Sequence, residues 1–266
     1  MKNSDQVSAG ANPSRRAILL GASNLSRCMP AVLEAVQLAH GTPSEVFFAC
    51  GHGRSYGASS RFFGRTLPGI VECGLWEALA ERPAVPSTAL VTDIGNDLLF
   101  GAPPKQIADW VSECVDRLHT RQARVVLTAL PLVNLAALSP ARFKFFRTLF
   151  FPPCRLSLTE ICEMARELDE RVRQIAAQRG VTVVEPRGAW YGIDPIHIQF
   201  RHAPAAFREV LAAWSEEASV EGRRLSLRAS LVMHRLKPAQ RIVRGREQRT
   251  AQPALTRADG TTLWLY

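Results

Sequence analysis

Short apolar runs alternate along this chain with stretches whose apolar residues recur every three or four positions. Ala17-Ile18-Leu19-Leu20 is a continuous apolar run ending at Gly21, the pattern of a strand covered on both faces. Residues 29–39 follow with Met29, Val32, Leu33 and Val36 on one helical stripe. Val46 to Cys50 and Thr88 to Ile94 repeat the strand pattern, and each again ends at glycine. Pro103-Pro104 opens a helix with Ile107, Trp110, Val111, Cys114, Val115 and Leu118 on one face, since proline suits a first helical turn. Arg124 to Leu130 is a fourth strand, stopped by Pro131. Ser157 and Glu160 have capping-box spacing and start a helix that Gly180 stops; Val181 to Val184 is a fifth strand. A last helix over 204–218 carries Phe207, Val210, Leu211 and Trp214. Five strands separated by helices predict an α/β fold: a three-layer α/β/α sandwich around a five-stranded parallel, flavodoxin-like sheet.

Composition narrows the class. Of 266 residues, 47% are hydrophobic and 21% charged, as in a globular protein. No run reaches the roughly 18 apolar residues of a membrane span, and Met1 to Arg16 lacks the apolar core of a secretory signal. The six cysteines form no C-x-x-C pair and no zinc-spaced cluster, so reduced thiols, no metal and a cytoplasmic location are expected. The net charge of +9 is unevenly placed: residues 221–266 hold ten Lys/Arg against three Asp/Glu. The expected organisation is a loose arm over 1–16, a domain over 17–219, and a basic extension over 220–266. Asp259-Gly260 gives that extension a terminal hairpin turn, and Leu263-Trp264-Leu265-Tyr266 an apolar end suited to docking on the body. A nearly neutral body argues against nucleic-acid binding by the core; the tail is a solvated surface or a contact for an anionic surface or nucleic acid.

In open parallel sheets ligands bind beyond the carboxyl ends of the strands. Four such ends here carry polar or glycine clusters: Gly21-Ala22-Ser23-Asn24; Gly51 to Gly57; Asp93-Ile94-Gly95-Asn96-Asp97; and, after the fifth strand, Asp194-Pro195-Ile196-His197. Taken singly, each has an ordinary reading. Ser23 suits a helix cap, Asn96 and Asp97 suit a turn, and Asp194-Pro195 favours a turn. Asp93 suits a strand-end hydrogen-bonding role that supports its loop. Together they form a set on one sheet edge, with His52 as a weaker member flanked by glycines.

In their order along the chain, these blocks resemble those of the SGNH/GDSL hydrolases. Gly21-Ala22-Ser23 stands for the G-D-S element with alanine in place of aspartate, Gly53 (or Gly51) for the second-block glycine, Gly95-Asn96-Asp97 for G-x-N-D without its spacer, and Asp194 to His197 for D-x-x-H. The resemblance spans residues 17–215. It implies a serine esterase, deacetylase or acyl hydrolase that uses no cofactor and acts on a small-molecule or acylated ester. Ser23 would be the nucleophile, His197 the base and Asp194 its orienting acid. The Ser23 and Gly53 N–H groups and the Asn96 amide would form the oxyanion hole.

The chemistry is coherent on its own terms. Acyl transfer needs a nucleophile, a base that later protonates the leaving group, and donors for the developing oxyanion. An acyltransferase using the same serine, or a catalytically silent binding protein of the same fold, is the competing reading. Gly53-Arg54-Ser55-Tyr56-Gly57 also matches the nucleophile elbow G-x-S-x-G, but too few strands precede it. Gly51, Gly53 and Gly57 imitate a dinucleotide loop, but the next strand ends near Asp93, well past the expected acidic position. Phe143, Phe145, Phe146, Phe150 and Phe151 read either as a core-packing helix or as a wall for an acyl chain.

Overall fold

The computed structural model describes residues 15–214 and 227–266, with side chains described from 231 onward in the second stretch. Most of the expected N-terminal arm, residues 215–218 of the expected last helix, and Arg223 and Arg224 of the basic tail lie outside the described residues.

The strands are β1 (Arg15–Leu20), β2 (Ser44–Ala49), β3 (Ser60–Phe62), β4 (Arg65–Leu67), β5 (Ser87–Val91), β6 (Arg124–Thr128), β7 (Thr182–Val184), β8 (Gln240–Val243), β9 (Arg246–Arg249), β10 (Leu255–Thr256) and β11 (Thr262–Leu265). The helices are α1 (Ser23–Arg27), α2 (Met29–His40), α3 (Leu75–Ala80), α4 (Asn96–Leu99), α5 (Pro104–Thr120), α6 (Leu132–Ala136), α7 (Pro140–Phe150), α8 (Leu158–Arg179), α9 (Ala203–Leu211) and α10 (Leu227–His234). No helix among the described residues is long and apolar enough to cross a membrane.

The central sheet runs β10-β11-β2-β1-β5-β6-β7, and the stretch β2-β1-β5-β6-β7 follows the expected parallel, flavodoxin-like order. Sheet side chains alternate between two apolar layers. Ile18, Leu20, Phe47 and Leu127 face the layer built with α5 and α8. Ala17, Leu19, Phe48 and Val126 face the layer built with α2 and α9. This two-sided burial explains why the parallel strands read as unbroken apolar runs. The long helices end as the sequence predicts: the capping box at Ser157 and Glu160 is formed, and Gly180 closes α8 at φ 64°.

The strand count is corrected from five to seven. β11 lies parallel to β2, with Leu263 beside Val46, Trp264 beside Phe47 and Leu265 beside Phe48, while β10 pairs antiparallel with β11. The physical cause is the edge of β2, whose unpaired N–H and C=O groups need a partner. Trp264 also stacks on Phe47 with ring centroids 5.5 Å apart, and Arg82 sits over the Trp264 ring. A chain ending at residue 219 would leave this edge open.

A second sheet, β3-β4-β8-β9, is antiparallel and joins residues 60–67 to residues 240–249. The sequence does not announce it, because β3 and β4 have three residues each and β9 is exposed throughout.

Leu263 is fully buried, and truncating a buried leucine costs about 2–5 kcal/mol. Leu263→Ala is therefore expected to lower unfolding free energy by that amount in urea titration, with an unchanged m-value. A loss below about 0.5 kcal/mol, typical of surface positions, would mean that β11 does not hold the sheet edge.

Candidate active site

The carboxyl ends of β1, β2 and β5 and the segment after β7 meet at one edge. Ser23 opens α1 directly after β1 and Gly21, and is buried. Its hydroxyl lies 2.8 Å from His197 Nε2, although 174 positions separate the two in sequence. His197 Nδ1 lies 2.5 Å from Asp194 Oδ2. Asp194 Oδ1 accepts from the backbone N–H groups of Ile196 and His197, which fixes the carboxylate against its own turn. With Nδ1 donating to Asp194, Nε2 is left to accept the serine proton. Burial pushes the Asp194 carboxyl up, but the hydrogen bond and charge of His197 and the two backbone N–H donors outweigh it and hold the group below its ordinary value.

Asn96, at the start of α4, lines the same cavity as Ser23 and Asp194. Its side-chain Nδ2 is buried and has no hydrogen-bond partner among the described residues. A buried donor left unmade costs about 1–3 kcal/mol, and this one belongs to a residue that lines the cavity.

The second-strand loop is braced against these elements. Tyr56 is fully buried; its N–H donates to Asp97 Oδ2 at 2.9 Å and its hydroxyl to Thr92 O at 2.7 Å. Burial pushes the Asp97 carboxyl up to about 6, against hydrogen bonds from Ser55 and Tyr56. The Ser55 hydroxyl, buried, accepts from the N–H groups of Gly57 and Ala58. The elbow look-alike is thus a structural turn. Gly53 adopts φ +65°, and a Cβ there would lie 2.8 Å from the Phe62 ring, so glycine is required both for conformation and for space. Arg54, fully buried, donates to the main-chain oxygens of Pro68, Cys50 and Tyr266, tying the Gly53 loop to the last residue after β11. His52 stacks on Phe62 (centroids 6.3 Å) and does not touch Ser23; burial and the charge of Arg65 and other cationic neighbours push it down to about 4.

Two residues matter more than the sequence indicates. Asp93, at φ +58°, turns its carboxylate onto the first-strand loop: Oδ2 accepts from the N–H groups of Ala22 (3.0 Å) and Asn24 (2.9 Å), and Oδ1 from Asn24 Nδ2 (2.7 Å). The strand-end role expected of Asp93 thus has its acceptor geometry. Asn24 then reaches across to the histidine loop, donating to Ile196 O at 2.9 Å and accepting from Ile198 N–H at 2.8 Å. Its role was hidden because a single asparagine after a serine looks like any turn residue. No group of three or more His, Cys, Asp or Glu among the described residues could hold a metal ion.

Asn24→Ala removes the bridge between the Ser23 and His197 loops. Misplacing reacting groups by about 1 Å costs on the order of 10²-fold. If the pair is reactive, kcat should fall by about that factor with KM nearly unchanged, while the thermal transition stays cooperative. Full kcat in a folded Asn24→Ala would show that the two loops need no bridge.

No family model matches the sequence, and no curated protein matches it. Solved structures do resemble the fold. A carbohydrate acetylesterase from Sinorhizobium meliloti is 17% identical, with a TM-score of 0.52, over 74% of this chain and 97% of that one. An aryl esterase of M. smegmatis is 17% identical, with a TM-score of 0.51, over 74% of this chain and 95% of that one. A member of the lipolytic G-D-S-L family from Veillonella parvula is 12% identical, with a TM-score of 0.48, over 75% and 97%. With its parallel β2-β1-β5-β6-β7 order and helices on both faces, the chain has the fold of the SGNH/GDSL hydrolases.

Proposed function

We propose that the protein is a serine hydrolase that cleaves carboxylic esters through an acyl-enzyme on Ser23. The observation that carries this reading is the continuous chain from Ser23 Oγ to His197 Nε2 (2.8 Å) and from His197 Nδ1 to Asp194 Oδ2 (2.5 Å). Ser23 Oγ bonds to the acyl carbon while its proton passes to His197. The ester C–O bond then breaks, and the leaving alcohol takes that proton. Water next gives a proton to His197 and attacks the acyl carbon, releasing the acid and restoring the serine. Asp194 holds the imidazole tautomer and stabilises the imidazolium. The unpaired Asn96 amide and the Ser23 and Gly53 N–H groups serve the oxyanion.

The acyl side is apolar. The cavity beside Ser23 is walled by Leu98, Leu130, Leu135, Phe143, Phe150 and Phe151. Only Phe143 of α7 is buried, and the helix turns Phe146 and Phe150 toward the cavity. The aromatic segment therefore serves as a wall for an aliphatic acyl chain.

A fluorophosphonate probe should label Ser23, and Ser23→Ala should lower kcat on an octanoyl ester by about 10⁴–10⁶ in water without an alcohol acceptor, while Ser55→Ala keeps its nucleophile. Label and turnover that survive in Ser23→Ala would end the hydrolase reading.

Asn96→Ala should lower kcat by about 10²–10³ with little change in KM. A change confined to KM would make Asn96 a ground-state binding group instead.

A further inference from the structure

The acyl cavity accounts for one side of Ser23. From the Phe150 wall of that cavity, with its ring 6.4 Å from the His197 ring, a ladder of rings leads outward: Phe150 to Phe62 (centroids 6.2 Å) and Phe62 to His52 (6.3 Å). Phe62 belongs to β3 and thereby brings the second sheet to the mouth of the site. Strand register decides what accompanies it. Phe62 pairs with Arg65, Arg65 with Val243 and Val243 with Arg246, while Arg241 pairs with Gln248 two positions along. Directly opposed residues share a face, as do residues two apart on one strand. Phe62, Arg65, Val243, Arg241 and Arg246 therefore occupy the same face, the one whose Phe62 ring abuts Gly53 and His52.

The arginines on this face are not neutralised. Among the described residues, no carboxylate pairs with Arg65, Arg241 or Arg246; Arg241 donates to the neutral Gln248 side chain at 3.0 Å. Arg27, half-buried at the end of α1, has the Phe200 ring as its neighbour and likewise no carboxylate. Glu247, the acid of β9, pairs with Ile242 on the opposite face and bonds to Arg249. Burial and the adjacent Arg241 charge both lower the Arg65 pKa, as expected of two guanidiniums held together without a counter-ion. Half-buried guanidiniums held side by side repel one another, and an anion between them relieves that repulsion.

We propose that the face of the second sheet carrying Arg65 and Arg241 is the leaving-group subsite, and that it takes an alcohol or thiol bearing a phosphate monoester. This rests on the hydrolase reading and adds the other half of the substrate: an aliphatic acyl chain on one side of Ser23 and an anionic head on the other. Guanidiniums match phosphate oxygens in both charge and planar geometry. Among the described residues the acyl cavity is lined by one cation, Arg147, whose Nε is buried and unpartnered, so the paired guanidiniums of the second sheet are the better match for a doubly charged phosphate. Two kinds of molecule carry this chemistry: phosphoglycerol esters and phosphorylated thiol carriers.

The test uses the intact protein and uncleavable analogues in matched pairs below their micelle concentrations. One pair is 1-octylglycerol 3-phosphate against 1-octylglycerol; the other is S-octyl phosphopantetheine against S-octyl pantetheine. Titration calorimetry should show the phosphorylated member binding about tenfold tighter or better in at least one pair, and the pair that discriminates identifies the leaving group. Arg241→Gln and Arg65→Gln should each remove most of that preference and leave the neutral member's Kd within about twofold, whereas Arg65→Lys should retain part of it. The preference should also shrink with added salt. Equal affinity for both members in both pairs would overturn the proposal, as would an equal loss for neutral and phosphorylated members in the variants. Because binding of uncleavable analogues is read, absence of ester hydrolysis counts against the hydrolase reading alone.

Discussion

One carboxylate organises the site. Asp93 leaves β5 in a left-handed conformation and gathers three N–H groups from residues 22 and 24. Ionised carboxylates make hydrogen bonds roughly twice as strong as neutral acceptors. The first-strand loop is therefore held in the one shape that puts Ser23 at the cavity. Through the Asn24 amide the same constraint extends to the Ile196 and Ile198 backbone on either side of His197. The Ser23–His197 distance thus depends on a residue that touches neither side chain. Alanine at position 22 supplies no side-chain polar group, and the polar support of the serine loop comes from position 93 and is spread by position 24.

The sheet order and the residues that meet at its edge were legible in the sequence because parallel strands advertise themselves. Runs such as Val46 to Ala49 are buried on both faces, and the strand-end rule then places Ser23, Asn96 and the Asp194–His197 segment side by side. What was hidden has no such signature. β11 alternates half-buried and buried positions over four residues, the pattern of many surface hairpins. Five of the eight residues of β8 and β9 are arginine or glutamine, and the pairing of β8 with β4 depends on contacts remote in sequence. Asn24 and Arg54 are single polar residues whose partners lie far along the chain. Periodicity reports local burial; it is silent about a bond between residues 24 and 198.

The basic character of the C-terminal stretch takes on a different meaning in three dimensions. In one dimension it is a surplus of charge outside the blocks that resemble catalytic motifs. In the fold, β8 continues the sheet begun by β3 and β4, and that sheet carries the Phe62 ring against Gly53. Charge and aromatic packing therefore converge at the mouth of the site from segments nearly two hundred residues apart.

The contact between Arg54 and Tyr266 has a kinetic side. β11 pairs with β2 across most of the length of the chain, and closing so large a loop spends entropy before any contact is returned. The parallel strands β1, β2, β5 and β6 lie much nearer one another in sequence and carry Ser23 and Asn96 at their ends. Of the three bonds that Arg54 makes from the Gly53 loop, the one to Tyr266 forms only when the last strand has docked. A refolding chain therefore closes the β2 edge and the Arg54–Tyr266 bond late, so recovery of the parallel body runs ahead of the last brace on the Gly53 loop.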